Sequence, residues 1–501
     1  MKGVVAAGHP LTAEAGAEVL RAGGNAVDAA VAAVLASFAV ESPLTGFGAG
    51  GFMMVGDGEE ATLIDFFVAA PGKDGAERGV ELAPVPVHFD AETVQTFYVG
   101  PASCGVPGTP AGLELALRRF GTMPLAELVG AGVRLAREGA PVNVEQGYIL
   151  DILWPIHERL PEARELYAPE GGKLGEGDVF RFSELAEALE RFGAEGAEPF
   201  YRGEVAAALS ERVREHGGTL GPTDLAEYEA IERRPVAASF RGTEVLTNPP
   251  PSSGGILIAY TLGLLERLGT ETGPEQLVAA MDAANRARDE EFAEALYGEG
   301  LERALLEPER LDLRAGDLLG STTHISVLGV DGMCASVTCS NGSGSGVLVP
   351  GTGVILNNML GEEDLNPLGF HAIAPGRRVP SMMAPTLVRR VGEIELGLGS
   401  AGSNRIRSAI VQTVVRAVEQ GMGADEAVGA PRLHFEAGIV QAEPGIDEEA
   451  LARIEARGIP VLRRPRINLF FGGVQAVAGD PAGGELSGGG DPRRGGAVAV
   501  A

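Results

Sequence analysis

Residues 29–40 read AAVAAVLASFAV, apolar on every side of a helix apart from Ser37. Such a stretch has no solvent face, and it is too short to cross a bilayer. It predicts a helix buried between layers of a larger fold. Upstream, Thr12 is placed to cap a first helix, with Glu14 in its first turn. Downstream, GFGAGGFMMVGDGEEATLIDFF reads as a glycine loop and a hairpin, 51–55 and 61–67, about a Gly-Asp-Gly turn.

The pattern is mainly helical over 115–264, and helical again after NPPPSSGG to about Arg314. From Thr322 onward, short β-rich runs are separated by Gly, Asn and Asp, with helices interposed at 404–420 and 447–457. Strands and helices mix without βαβ alternation. This favours stacked layers of mainly antiparallel sheet and helix, an α+β class.

Length alone, 501 residues, carries a prior of roughly three domains. The formal charge of −29 excludes nucleic acid and anionic membrane surfaces as partners, because both would repel the chain. No apolar run is long enough for a signal peptide or a membrane span, so a cytoplasmic location is the default expectation. Cys104, Cys334 and Cys339 are too few for a disulfide framework. Cys334 and Cys339 fall on opposite faces of one strand and read as core residues. No metal-ligand spacing occurs and no fixed-period repeat is visible. The GFGAGG stretch lacks the spacing of a phosphate loop, and the glycine-rich tail 483–496 reads as a loop.

Ser321, Thr322 and Thr323 stand together before the strand-like run HISVLGV. A threonine hydroxyl is a weak nucleophile until a base takes its proton. Asp331-Gly332 predicts a two-residue type I′ turn leading into MCASVTCS. With Val330 and Met333 flanking that turn, Thr322 would face Asn341, Thr323 would face Ser340, and His324 would share the face of Thr322. The loops 341–346, 380–385 and 397–406 offer backbone N–H groups to an oxyanion. Taken alone, these features read as turns of a β-rich domain, and His324 as a packed histidine.

Their order adds more. GHPLTAEAGAEVLRAGGNAVDAAVAA, VESPLTGFGAGGFMMV, VPGTPAGL, NPPPSSGG, TTHISVLGVDGMCASVT, GVILNNML, RRVPSMMAPT, GSAGSNRI and DPRRGGAVAV follow one another along the chain. In this the sequence resembles the gamma-glutamyltranspeptidase family over essentially its whole length. The resemblance implies an N-terminal nucleophile hydrolase with a four-layer αββα sandwich, made as a precursor that cuts its own Ser321–Thr322 bond. Residues 1–321 and 322–501 would then be large and small subunits of one domain, a heterodimer open to further dimerisation. Thr322 would be the nucleophile and its released α-amine, with an ordinary pKa of about 7.7–8.0, the base. The substrate implied is a γ-glutamyl or related small acyl amide, with water or an amine taking the acyl group, and no cofactor or metal.

By the same resemblance, Ser340 supports the nucleophile and Gly402 and Ser403 align with a Gly-Gly pair forming the oxyanion hole. Asn341 and Glu362 fall at the α-amino end of the substrate. Ser381 matches the first of two serines on the α-carboxylate, and Met382 replaces the second. Where the family has Asp-Phe-Arg-Glu, this chain has IDFFVAAPG, with Phe67 for the carboxylate-binding Arg and Val68 for Glu. Losing that charge-assisted pair removes about 1.5–3 kcal/mol of binding. Arg377, Arg378, Arg405 and Arg407 are the candidates to replace it, at least three of them reading as structural. A cephalosporin-acylase-like or oxamate-amidohydrolase-like activity suits the altered pocket, and a non-catalytic scaffold is the alternative of another class.

Overall fold

Two antiparallel sheets stack face to face, and helices cover the outer side of each. The computed structural model describes residues 1–75, 82–88, 94–269, 271–288, 290–298, 300–306, 322–390, 392–479 and 485–501. Ser321 and the expected end of the helical block near Arg314 lie outside the described residues.

The strands of the two sheets are, in chain order, β1 (Gly3–Ala7), β2 (Gly50–Gly56), β3 (Ala61–Phe66), β4 (Ile231–Arg233), β5 (Val236–Phe240), β6 (Thr243–Thr247), β7 (Thr323–Gly329), β8 (Cys334–Ser340), β9 (Thr386–Arg390), β10 (Glu393–Ala401), β11 (Gly473–Gly479), β12 (Leu486–Gly490) and β13 (Ala497–Val500). The first sheet runs β13-β1-β7-β8-β2-β3-β4 and the second β12-β11-β10-β9-β6-β5. The stretch 115–264 is mainly helical as expected, and β4 to β6 are the strands within it that the sequence reading did not separate out. The tail is no simple loop. It supplies β12 and then buries Arg493, which pairs with Glu443 and Asp491.

Helices α1 (Pro10–Ala22), α2 (Ala26–Val40), α3 (Gly130–Glu138) and α4 (Ser183–Glu195) lie on the first sheet's side. Every residue of α2 is buried, because β7 and β8 cover one flank and α1, α3 and α4 cover the others. Its start is closed by a capping box between Asn25 and Asp28. Helix α1 begins at Pro10 and is capped by His9, whose Nδ1 accepts the Leu11 N–H at 3.1 Å. The expected cap, Thr12, instead gives its hydroxyl to Glu41 at 2.8 Å. Helices α5 (Ser253–Leu268), α6 (Pro274–Arg286) and α7 (Arg405–Val414) lie on the second sheet's side, with α5 and α7 packed directly on its strands.

Alternation along the strands sorts the side chains. Val5, Ile325, Val327 and Val337 point to α1 and α2, whereas Phe52, Met54 and Cys334 point to the second sheet. Cys334 and Cys339 therefore sit in different cores, and all three cysteines are unbridged. No helix among the described residues is long and apolar enough to cross a membrane.

The β7–β8 hairpin differs from its expected register. Gly329 N–H bonds to Met333 O at 2.9 Å, so the loop has three residues, Val330, Asp331 and Gly332, with Gly332 at φ +83°. A three-residue loop with its last residue left-handed is a standard alternative to the two-residue turn. Thr323 consequently pairs with Cys339 and His324 with Thr338. Continuing that register sets Thr322 opposite Ser340, not Asn341.

Candidate active site

Thr322 sits immediately before β7 and Ser340 ends β8, at the same edge of the sheet stack. The Thr322 hydroxyl donates to Ser340 Oγ at 3.3 Å, and Gly342 N–H donates to the same oxygen at 2.9 Å. Gly342 achieves this in the left-handed region, φ +69°. Both hydroxyls line a cavity with about 310 Å³ of empty space, part of it open to solvent.

Its polar wall is Thr322, Ser340, Ser381, Ser403, Glu362 and Asp364, and its apolar wall includes Phe67, Met359, Met382, Met383 and Ile406. Most of the residues expected from sequence therefore converge. Ser381 Oγ accepts the Met383 N–H at 3.1 Å, leaving its proton for a ligand. Ser403 is held at φ +53° and gives its hydroxyl to Asp364 Oδ2 at 2.6 Å. Gly402 precedes it at φ +119°, off the cavity wall, where a Cβ would come within 2.9 Å of Gly472 Cα.

Asn341 is not brought to the wall. It is fully buried, its backbone N–H bonds to Leu44 O at 2.8 Å, and its amide atoms have no hydrogen-bond partner among the described residues. The register explains this, since the residue after the β8 end turns away into the loop.

Asp364 was not singled out in the sequence, although it lies two residues after Glu362 in GEEDL. Both carboxyls are buried. Burial, reinforced by the neighbouring Asp364, pushes Glu362 up to about 8, while Glu362 Oε1 accepts the Ser343 N–H at 2.8 Å. Burial also raises Asp364, against the lowering pull of Ser403, Arg288 and Arg405.

His324 is not on the wall. Its ring lies between the sheets, with Nδ1 at 2.8 Å from Thr338 Oγ1 and Nε2 at 2.9 Å from Ser326 Oγ. Burial lowers it to about 3, as expected of a packed histidine. On the opposite face of β7, Thr323 gives its hydroxyl to Glu41 at 2.6 Å. Thr12 holds the second Glu41 oxygen, so this contact anchors the chain one residue after Thr322.

The four candidate replacement arginines do not line the cavity. Arg378 is paired with Asp65, Arg407 with the Asn285 side chain, Arg405 with Phe470, and Arg377 stacks on Tyr297. Phe67 lies where expected, 1 % exposed, its ring stacked on Phe52 at 5.3 Å. Among the described residues no group of His, Cys, Asp or Glu is arranged to hold a metal.

The sequence profile of the family described as Gamma-glutamyltranspeptidase matches residues 12–501. Acylase ACY 1 proenzyme of Pseudomonas sp. (strain SE83) is 34 % identical over 96 % of this chain and 90 % of its own length. Glutathione hydrolase proenzyme of Bacillus subtilis (strain 168) is 30 % identical over 99 % of this chain and 91 % of its own. The crystal structure of cephalosporin acylase from Bacillus halodurans superposes with a TM-score of 0.84 at 26 % identity, covering 100 % of this chain and 96 % of that one.

Proposed function

Because the chain belongs to the gamma-glutamyltranspeptidase family, we propose that it is a self-processing threonine amidohydrolase acting through an acyl-Thr322 ester. One observation carries the reading. Thr322 and Ser340 stand hydroxyl to hydroxyl in a cavity whose other titratable side chains are two buried acids, one pushed up to about 8. A carboxyl that holds its proton at neutral pH is no base for an alcohol. The α-amine of Thr322 is the group that remains, and only cleavage of the preceding bond releases it.

In the precursor, Thr322 Oγ would attack the carbonyl carbon of residue 321. The C–N bond breaks as nitrogen takes the proton, leaving an ester and the α-amine, and water opens the ester. In turnover, the amine takes the Oγ proton as Oγ bonds to the substrate's carbonyl carbon. Backbone N–H groups of Gly402 and Ser403 would meet the oxyanion, and Ser340 would orient the hydroxyl. The C–N bond breaks as the ammonium returns its proton to the leaving amine. Water, deprotonated by the same amine, or an acceptor amine then takes the acyl group. The fragments 1–321 and 322–501 stay together as two chains of one sandwich, because β7 and β8 are central strands between β1 and β2.

Intact-mass measurement and N-terminal sequencing test the first step. The expected outcome is conversion of the 51.7 kDa chain to two fragments, the smaller beginning at Thr322, with Thr322→Ala left whole. A wild-type chain that stays whole like the variant on long incubation would sink the proposal.

A further inference from the structure

If Thr322 is the nucleophile, the charges around it bear on which acyl group can sit there. The γ-glutamyl and glutaryl groups, and the oxalyl group that oxamate would donate, all carry a carboxylate. Burying a carboxylate without a counter-ion or converging donors is strongly unfavourable. No Arg, Lys or His lines this cavity among the described residues. The two further arginines near the acids are committed too. Arg288 donates to Asn404 Oδ1 and Asp364 O, at 3.1 and 2.8 Å, and Arg405 donates to Phe470 O at 3.1 Å with its guanidinium over the Phe470 ring.

The acids themselves ask for a donor. Asp364 is 7 % exposed and lines the cavity, yet its Oδ1 has no hydrogen-bond partner among the described residues, since Ser403 occupies only Oδ2. Glu362, 3 % exposed, stands beside it. Arg288 and Arg405 offset part of the Asp364 charge, and Glu436 adds one of the same sign. The rest of the wall includes the hydrocarbon and thioether surface of Phe67, Met359 and Met382.

We propose that this cavity takes an acyl chain without a carboxylate, largely apolar and ending in an ammonium group that meets Asp364 Oδ1. The glutaryl and oxalyl alternatives suggested by the missing arginine are then no better suited than γ-glutamyl. They keep the group that the lost cation served.

Four anilides of one acyl length test this: pentanoyl, 5-aminopentanoyl, glutaryl and γ-glutamyl. They are given to wild-type protein already shown by mass to be cut before Thr322. The 5-aminopentanoyl anilide should have the highest kcat/KM, about tenfold or more above the glutaryl and γ-glutamyl compounds. Asp364→Asn should lower the ratio of 5-aminopentanoyl to pentanoyl turnover by about tenfold. A glutaryl or γ-glutamyl compound in first place overturns the proposal, as does parity of pentanoyl with 5-aminopentanoyl. Cut protein that hydrolyses none of the four overturns it as well. A chain that never cuts overturns instead the nucleophile reading on which it rests.

Discussion

Ser403 offers a perturbation in which two opposing energies can be separated. Its φ of +53° places a side-chain-bearing residue in the left-handed region, at a cost of about 1 kcal/mol. Its hydroxyl repays this through the 2.6 Å bond to Asp364 Oδ2, a contact with a buried acid worth about 1.5–3 kcal/mol. Ser403→Gly removes both the strain and the bond, for a net loss of about 0.5–2 kcal/mol. Ser403→Ala removes the bond and keeps the strain, for a loss of about 1.5–3 kcal/mol. Urea unfolding should therefore rank wild type above Ser403→Gly, and Ser403→Gly above Ser403→Ala, with about 1 kcal/mol between the variants. Kinetics give a second axis. On the proposed mechanism, a loosened turn at 402–403 weakens contacts made only to the oxyanion, so kcat should fall while KM stays close to wild type. An alanine variant more stable than the glycine one would refute the strain argument. A rise in KM at unchanged kcat would refute the oxyanion role of this turn.

Acid should weaken the fold through its buried histidines. Burial lowers His9 and His157 to about 4 and His324 to about 3. Below the ordinary histidine pKa of about 6.5 the unfolded chain binds protons that the folded chain refuses, so stability falls as pH drops from about 6.5 towards 4, by about 1.4 kcal/mol per unit for each histidine. His157→Gln, which removes one such group, should flatten the pH dependence of urea unfolding, and an unchanged slope would contradict this. Gly399→Ala would set a Cβ 2.3 Å from His324 Cε1, on a ring pinned by Thr338 and Ser326. A loss of about 1–3 kcal/mol is expected, and a variant melting with wild type would refute the close contact. Thr323→Val leaves Glu41 with only Thr12 as a hydroxyl donor, and should cost about 1–3 kcal/mol in urea unfolding.

The parts of this molecule legible in the sequence are those with a local cause. A run without a polar face had to be α2, and glycine-punctuated alternation had to be β2 and β3. Strands β5 and β6 were equally local. Val236, Ala238 and Phe240 are buried in strict alternation, but a five-residue signal was lost among the helical runs on either side. The cavity has no local cause. Residues 67, 322, 340, 362, 364, 381 and 403 come from separate loops and strand ends that meet only when the sheets stack. Asp364 was therefore invisible beside Glu362, because nothing in GEEDL distinguishes an acid facing a cavity from one facing solvent. The family motifs located Phe67 and Ser403 without saying what each touches. Likewise, the engagement of the arginines with Asp65, Asn285, Phe470 and Tyr297 is a property of the packed chain alone.

The hairpin shows how a turn governs chemistry at a distance. Side chains alternate along a strand, so a register shift of one residue exchanges the two faces. With a two-residue loop, Ser340 would lie across from Thr323 and point to the helix layer. The third loop residue, Gly332 at φ +83°, moves Ser340 to the inter-sheet side. There it continues a file of polar groups, Ser336 and Thr338 on β8 against Ser326 and His324 on β7, tied to Leu398 O and Gln475 O of the second sheet. Thr322 is the last position of that file, and the only one that opens on the cavity together with Ser340. The loop sits roughly 23 Å away, the length of a seven-residue strand. What it settles is which hydroxyl meets Thr322, and the tie to the second sheet holds that choice in place.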